Sequence, residues 1–212
     1  MSSSTLPRSN QKQRSVDQTS VEPTGGCRML LVGPPGAGKS SQGPLVAERL
    51  DVPYISTGAL LRAEVQSESR IGQRVADYMN MGRLVPEWLM TYALERRLSD
   101  ATRSGFVLDG YPRTLEQAER FTESLDPARL DGVIELVVPD DVALLRLAMR
   151  RRADDDAQVA RSRLDIYREE TGPMRDFFAS AGLLTPVDGS RPCDAVSSDL
   201  LALVDTIAAN RA

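Results

Sequence analysis

The feature that most constrains the fold is a glycine-rich motif at residues 33–40, which directly follows a short apolar run. The motif reads Gly-Pro-Pro-Gly-Ala-Gly-Lys-Ser and matches the pattern G-x-x-x-x-G-K-S/T in full. The run before it, CRMLLV at residues 27–32, has the length and composition of a buried parallel strand. Helix signals begin at Lys39. A strand, a tight turn and a helix in this order predict the first unit of an α/β sheet.

The rest of the chain continues the alternation of short apolar strands and amphipathic helices. Further strands are predicted at residues 52–55, 105–108, 132–138 and 183–187. Helices are predicted at residues 39–50, 57–66, 71–81, 115–125, 140–151, 156–170 and 173–181. A longer helix opens at Pro86 with the apolar face Val85, Trp88, Leu89, Tyr92 and Ala93, and a last helix has the apolar face Val196, Leu200, Leu203, Val204 and Ile207. The pattern predicts an α/β, P-loop NTPase-like three-layer fold: a five-stranded parallel sheet with helices on both faces.

Composition sets the domain organisation and excludes several classes of protein. Residues 1–26 are rich in Ser, Thr, Gln and Pro, so we expect a disordered tail, with a weak alternative of organelle targeting. Residues 27–212 then form a single domain. No apolar run is long enough to span a bilayer, which predicts a soluble protein without a membrane partner. The net charge of −4 argues against nucleic acid as a partner.

Cysteine and histidine usage narrows the chemistry further. Cys27 and Cys193 are too few for a disulfide framework or a metal site, so we expect both to be buried, reduced thiols of a cytosolic protein. The chain has no histidine. This excludes histidine metal sites, histidine general bases and catalytic triads that contain histidine.

The chemistry of the motif predicts binding of a nucleoside triphosphate. Its glycines turn backbone N–H groups toward phosphates, and the helix that follows adds its positive end. Lys39 is one of only two lysines among 26 basic residues, and the other, Lys12, lies in the tail. Its compact charge suits the β- and γ-phosphates, where the planar fork of arginine does not replace it. Ser40 or Ser41 is expected to reach magnesium or its water shell.

A second candidate site follows the third predicted strand, at Asp109-Gly110-Tyr111-Pro112-Arg113. An Asp at the end of an apolar strand, in a chain with a phosphate loop, is a candidate for holding magnesium. The signal is weak alone, because Asp-Gly also marks turns. Arg113 can reach the same cleft and grip phosphate oxygens with its two-pronged guanidinium.

Four segments together resemble the adenylate kinase family of nucleoside monophosphate kinases. GPPGAGKSSQ, STGALLR, GRLVP and GFVLDGYPRTLEQ occur in the family's order and spacing, and the resemblance extends from about residue 28 to the end of the chain. It implies a reversible, magnesium-dependent phosphoryl transfer from ATP to AMP that gives two ADP. It also implies a cytoplasmic monomer with AMP-binding helices at about 56–85.

The resemblance also assigns roles by position. It implies that ATP is bound by Gly33, Gly36, Ala37, Gly38, Lys39, Ser40, Ser41, Arg146 and Arg191. It implies that AMP is bound by Thr57, Arg62, Arg83, Leu84, Val85, Gly110, Arg113, Gln117, Arg152 and Arg163. The implied catalytic residues are Lys39, Asp109, Arg113, Arg150, Arg152 and Arg163. The implied magnesium ligands, acting through water, are Ser40, Ser41 and Asp109.

The arginines fit this chemistry, because phosphoryl transfer needs positioning and charge neutralisation more than covalent help. The alternative for residues 150–152 is an ordinary solvated helix face. Only Ala153 separates Arg152 from the acidic run 154–156, so the segment resembles the family's short lid, at about 150–157. Without the required Cys and His residues, no zinc site is expected.

Two positions depart from the family pattern. The family usually has Asp after Ser-Thr-Gly, where this chain has Ala59, and that Asp is thought to help hold water around the magnesium. Our hypothesis is that activity persists at a reduced level. The family also has Gly-Thr after the lysine, where this chain has Ser40 and Ser41, a milder change because Ser can replace either hydroxyl.

Two other functions remain open from the sequence. A relative that phosphorylates UMP or CMP would usually carry Ala at the position of Thr57 and Asn at that of Thr114, and this chain has neither. A nucleotide-binding paralogue with weakened catalysis, acting as a sensor or partner, is suggested by Ala59 and the long tail.

Overall fold

The computed structural model describes residues 26–125, 129–150 and 156–211, without the side chains of 95–103. Residues 1–25 of the predicted tail at 1–26, and residues 151–155 of the predicted lid, which include Arg152, therefore lie outside the described residues. Five parallel strands form one sheet in the order β2-β3-β1-β4-β5. They are β1 Arg28–Val32, β2 Tyr54–Ser56, β3 Phe106–Asp109, β4 Gly132–Val137 and β5 Leu184–Asp188. The predicted fold class is confirmed.

Eight helices are present in the described part of the chain. They are α1 Lys39–Leu50, α2 Thr57–Gln66, α3 Arg70–Asn80, α4 Glu87–Ser104, α5 Leu115–Ser124, α6 Asp140–Arg150, α7 Ala157–Ser180 and α8 Cys193–Ala209. The sheet divides the core into two clusters, one on each face, and successive side chains of β1 point alternately into the two. Leu30 and Val32 pack with α2–α5 and α7, and Met29 and Leu31 pack with α1 and α8. None of the described helices is long and apolar enough to cross a membrane.

Helix α7 corrects one prediction. The sequence suggested two helices, at 156–170 and 173–181, because proline removes a backbone donor and usually ends or kinks a helix. The structure has one continuous helix with Pro173 inside it. Thr171, Met174 and Phe178 lie on one face and are all buried. Packing of this face against the core holds the helix together across the proline.

Helix α4 corrects another prediction, the identity of its buried face. Trp88 and Tyr92 were expected in the core, but they are 54% and 52% exposed. Val85 and Leu89 are buried as predicted, and Met90 and Leu94 are buried in place of Trp88 and Tyr92. The predicted and observed faces of α4 are adjacent on the helix surface, and hydrophobic periodicity alone does not distinguish between them. Trp88 lies beside Arg74, whose guanidinium carbon is 5.9 Å from the ring centroid, so the ring gains a cation contact while facing solvent.

The two cysteines have different surroundings. Both are free thiols, and Cys27 is buried as expected. Burial, reinforced by the charge of Asp131, raises the pKa of its thiol to about 11. Cys193 is exposed at the first residue of α8, so the expectation of burial was wrong for it. A position in the first turn of a helix leaves a side chain at the surface unless another element covers it.

Sheet order places two loops side by side. Strand β1 pairs with β3 on one side and β4 on the other, and Leu31 lies opposite Asp109 in the register. The connection after β1 runs toward β2 and the connection after β3 runs toward β4, so the two leave in opposite directions and create a crevice at the carboxyl edge of the sheet. The loop after β1 and the loop after β3 both open into this crevice.

Candidate active site

The phosphate loop joins β1 to α1 as predicted. Gly38 caps the first turn of α1 with φ 99°, a left-handed conformation that favours glycine. A Cβ atom added at Gly38 would meet nothing within 4 Å, so this stretch of backbone faces open space. The N–H groups at the start of α1 are therefore accessible to a ligand, and the helix dipole favours an anion there.

Lys39 lies across the phosphate loop. Its Nζ donates to the carbonyl oxygens of Gly33, at 2.6 Å, and Pro34, at 2.9 Å. Burial lowers the pKa of the Lys39 ammonium from its ordinary 10.5 to about 8. The negative charge of Asp109 opposes this change, while nearby arginines reinforce it. The negative charge of Asp109 therefore does not fully offset the burial of the Lys39 ammonium and the nearby positive charges, which suits a group that binds a phosphate.

Asp109 ends β3 and is only 7% exposed. Its carboxylate Oδ2 accepts hydrogen bonds from the hydroxyl of Tyr54, at 2.8 Å, and from that of Ser56, at 3.3 Å. Burial and the Asp109 charge raise the pKa of Tyr54 far above its ordinary value, so the phenol keeps its proton and donates. The carboxylate is thus held in place by hydroxyl groups.

Arg113 is pinned through both its backbone and its side chain. Its backbone N–H donates to Gln117 Oε1 at 2.9 Å, and its carbonyl accepts from Thr171 Oγ1 at 3.3 Å. Its Nε donates to the carbonyl of Gly110 at 2.8 Å. This bond fixes the orientation of the guanidinium, which lines the cleft. Burial and the neighbouring charge of Arg163 lower the pKa of Arg113. This is a second cation in a position suited to an anionic ligand.

Arg146 braces the loop that precedes α8. Its Nη1 donates to the carbonyl of Gly189 at 2.7 Å, and its Nη2 donates to that of Ser190 at 3.2 Å. The side chain of Arg191 forms an ion pair with Asp199. At Arg191 the side chain is thus engaged by protein, which is compatible with a contact to nucleotide through its backbone.

One cleft, with a volume of about 470 Å³, brings most of the predicted residues together. From the phosphate loop and the ATP side it is lined by Gly33, Gly36, Ala37, Gly38, Lys39, Ser40, Ser41, Arg146, Arg150 and Arg191. From the other side it is lined by Arg62, Arg83, Leu84, Val85, Asp109, Gly110, Arg113 and Arg163. Residues up to 158 positions apart in the chain therefore share a single cavity.

Two predicted residues, Thr57 and Gln117, do not line this cleft, and a third, Arg152, is not described. Thr57 is fully buried, and its Oγ1 donates to the carbonyl of Asp109 at 3.0 Å. Gln117 is 8% exposed and holds the backbone of Arg113. Arg152 lies outside the described residues. Thr57 and Gln117 support the lining groups from behind, and direct contact with AMP stays a prediction for all three.

Several residues at the site were missed from the sequence. Tyr54 and Ser56 hold Asp109, and Tyr167 and Thr171 on α7 line the cleft. A signal existed for the first pair, because Tyr54 and Ser56 alternate along a strand and so share one face. For the α7 pair, the i, i+4, i+8 spacing from Arg163 places all three side chains on one stripe of the helix.

The oxygen groups at the phosphate loop fit magnesium. Among the described residues, no cluster of three or more Cys, His, Asp or Glu side chains could form a protein cage for a metal ion. Magnesium does not need one, since it keeps several waters and is usually bound by one or two carboxylates together with substrate phosphates. Asp109 and the hydroxyls of Ser40 and Ser41 are hard oxygen donors lining one cleft. They match that kind of site.

Comparisons with known proteins agree with this arrangement. A model of the family described as adenylate kinase matches residues 31–183. The adenylate kinase of Nocardia farcinica is 42% identical over 177 residues, which cover 82% of this chain and 97% of the relative. The adenylate kinase of Methylorubrum extorquens strain PA1 is 39% identical over 191 residues, which cover 84% of this chain and 96% of the relative. The chain belongs to the adenylate kinase family.

Proposed function

We propose that this chain catalyses reversible transfer of the terminal phosphoryl group of ATP to AMP, giving two ADP. The observation that carries the proposal is the shared cleft, in which the phosphate loop faces the Arg113 segment. One cavity with a cationic group on each side suits two polyanions that must meet. The family membership points to the same reaction.

Each side of the cleft has a separate task in this mechanism. Backbone N–H groups of the phosphate loop and the Lys39 ammonium hold and neutralise the β- and γ-phosphates of ATP. Arg113 and Arg62 grip the phosphate of AMP and direct its oxygen at the γ-phosphorus. Arg150 and Arg163, with Arg152, stabilise the charge on the transferring group. Leu84 and Val85 lie along the adenine of AMP, and Gln117 reads its edge.

Magnesium would be held by Asp109 and by Ser40 or Ser41, through water, and would neutralise charge between the β- and γ-phosphates. We further propose that the chain acts as a cytoplasmic monomer. Residues of about 56–85 serve as the AMP-binding helices. Residues of about 150–157 serve as a short lid.

The choice of acceptor is the direct test. ADP formation should be measured in a coupled assay with ATP and either AMP, GMP, CMP or UMP as acceptor. We expect AMP to be the fastest acceptor. Faster reaction with UMP or CMP would identify the related pyrimidine enzyme instead. Nucleotide binding without ADP from any acceptor would leave only a binding protein.

Replacement of Ala59 by Asp is expected to raise turnover severalfold. Ala59 is exposed in the first turn of α2, and its N–H donates to Ser56 Oγ, which in turn contacts Asp109. A carboxylate there adds a second acidic group near the magnesium side of the cleft. Ala63→Asp is the matched control, because it makes the same change at an exposed position one turn further along α2. Equal turnover of wild type and Ala59→Asp, measured in pure preparations, would contradict the hypothesis.

A further inference from the structure

Tyr54 links three elements that meet behind the cleft. It lies on β2, its hydroxyl donates to Asp109 Oδ2 at the end of β3, and its ring packs against α1. The hydroxyl contact, at 2.8 Å, is shorter than the 3.3 Å contact from Ser56 to the same oxygen. Both donors reach Oδ2, so the other carboxylate oxygen, Oδ1, is engaged by neither.

The ring has its place because residue 43 is glycine. A Cβ atom at Gly43 would lie 2.2 Å from Cε2 and 2.8 Å from Cζ of Tyr54. These distances are far inside van der Waals contact, so any larger residue at 43 would displace the ring. Gly43 is also four residues after Lys39 on α1 and is buried. The ring thus fills a space one helical turn behind the phosphate loop.

We propose that Tyr54 is a positioning residue that fixes the orientation of the Asp109 carboxylate, and that Gly43 provides the space this requires. With Oδ2 held by the phenol, Oδ1 is presented to the magnesium–nucleotide complex. A buried carboxylate needs hydrogen-bond donors to offset lost hydration, and a rigid phenol supplies one without adding charge. This assignment rests on the proposed function for the identity of the bound metal–nucleotide.

The backbone of Asp109 is restrained independently, which isolates the effect of the phenol. Thr57 Oγ1 donates to the carbonyl of Asp109 at 3.0 Å, and β3 pairs with both β1 and β2. Loss of the Tyr54 hydroxyl therefore leaves the position of Asp109 in the sheet unchanged. Without the hydroxyl, the Asp109 carboxylate gains only the freedom to rotate about its own side-chain bonds.

The test is Tyr54→Phe, which removes one oxygen and keeps the ring. Binding of Mn²⁺ to the chain with a non-hydrolysable ATP analogue, followed by the electron paramagnetic resonance of free Mn²⁺, should weaken about tenfold. Turnover should fall by about the same factor, with the Michaelis constant for AMP within about twofold of wild type. Binding of the analogue without metal should not change. Tyr92→Phe removes the same atom from an exposed tyrosine and should change nothing.

Gly43→Ala provides a second, independent route to the same state. The added methyl group pushes the ring away from Asp109, so the Mn²⁺ and turnover losses should match those of Tyr54→Phe. In the double variant the losses should not exceed the larger single loss, because both changes act through one hydrogen bond. Additive losses would overturn the proposal.

The remaining outcomes separate this inference from the proposed function. If Tyr54→Phe retains wild-type Mn²⁺ affinity and turnover, the positioning role is wrong while the phosphotransferase assignment stands. If Tyr54→Phe weakens binding of the metal-free analogue as much as that of Mn²⁺, the tyrosine is a general structural residue and the proposal fails. If the wild type forms no ADP but Tyr54→Phe selectively weakens Mn²⁺ binding, the proposed function fails and the positioning role stands.

Discussion

Replacement of Lys39 by Met is expected to lower turnover by about 10³-fold or more while the fold stays intact. The change removes the one ammonium that the phosphate loop offers to the β- and γ-phosphates. The Lys39 ammonium now donates to the carbonyls of Gly33 and Pro34. In the variant the carbonyl of Pro34 keeps its hydrogen bond from the N–H of Ala37, and Gly33 lines the cleft, where water can replace the lost donor. The loss should therefore appear in catalysis rather than in folding.

The pH dependence of stability gives a second readout for the same variant. The pKa of Lys39 is about 8 in the folded protein and close to its ordinary 10.5 in the unfolded chain. Between these values the unfolded chain binds more protons, so the free energy of unfolding of the wild type rises with pH across this window. Methionine has no proton to lose, so the variant lacks this rise. At neutral pH the variant should be at least as stable as the wild type.

Turnover in the ADP assay and urea unfolding at several pH values measure the two effects. Lys12→Met is the matched control, since it deletes the other lysine of the chain and should leave both quantities unchanged. Lys39→Arg keeps the charge but should stay strongly impaired, because the planar guanidinium does not fit the space of an ammonium. Turnover of Lys39→Met close to wild type would disprove the assignment of the phosphate loop.

The fold was predictable where local signals and the global pattern agree. Glycine and proline turns separate short apolar strands, and the strand positions follow from these signals without knowledge of the third dimension. Helix α7 was mispredicted because Pro173 is a strong local break, and only the buried face of Thr171, Met174 and Phe178 overrides it. Cys193 and Trp88 were mispredicted because composition and periodicity do not say which surface another element covers.

The site was predictable where its residues lie in contiguous motifs. Lys39, Asp109 and Arg113 belong to such motifs, and each lines the cleft. The bond between Tyr54 and Asp109 joins residues 55 positions apart and depends on the register that places Ser56 opposite Asp109. Register is a property of the assembled sheet, so no local pattern contains it. The supporting role of Thr57, whose hydroxyl bonds to Asp109 52 positions away, was hidden for the same reason.

Replacement of Arg113 by Ala is the other change with a large expected effect. We expect the apparent Michaelis constant for AMP to rise and turnover to fall, together lowering kcat/KM by about 10²- to 10³-fold. The guanidinium is aimed by the carbonyl of Gly110, while the backbone of Arg113 is held by Gln117 and Thr171. The truncation therefore removes a charge from the cleft and leaves the loop anchored.

Stability of the free protein should not fall in parallel. Arg113 and Arg163 repel each other, which is one reason why the pKa of Arg113 is lowered. Removal of one charge relieves this repulsion in the free protein. Arg120→Ala is the matched control, because its exposed pair with Glu116 is worth little and lies away from the cleft. Steady-state kinetics with AMP and ATP varied separately, together with thermal unfolding, test the prediction. An effect confined to ATP affinity would mean that the two nucleotide sites are reversed. A fall in melting temperature that accounts for the lost activity would mean that Arg113 is a structural residue.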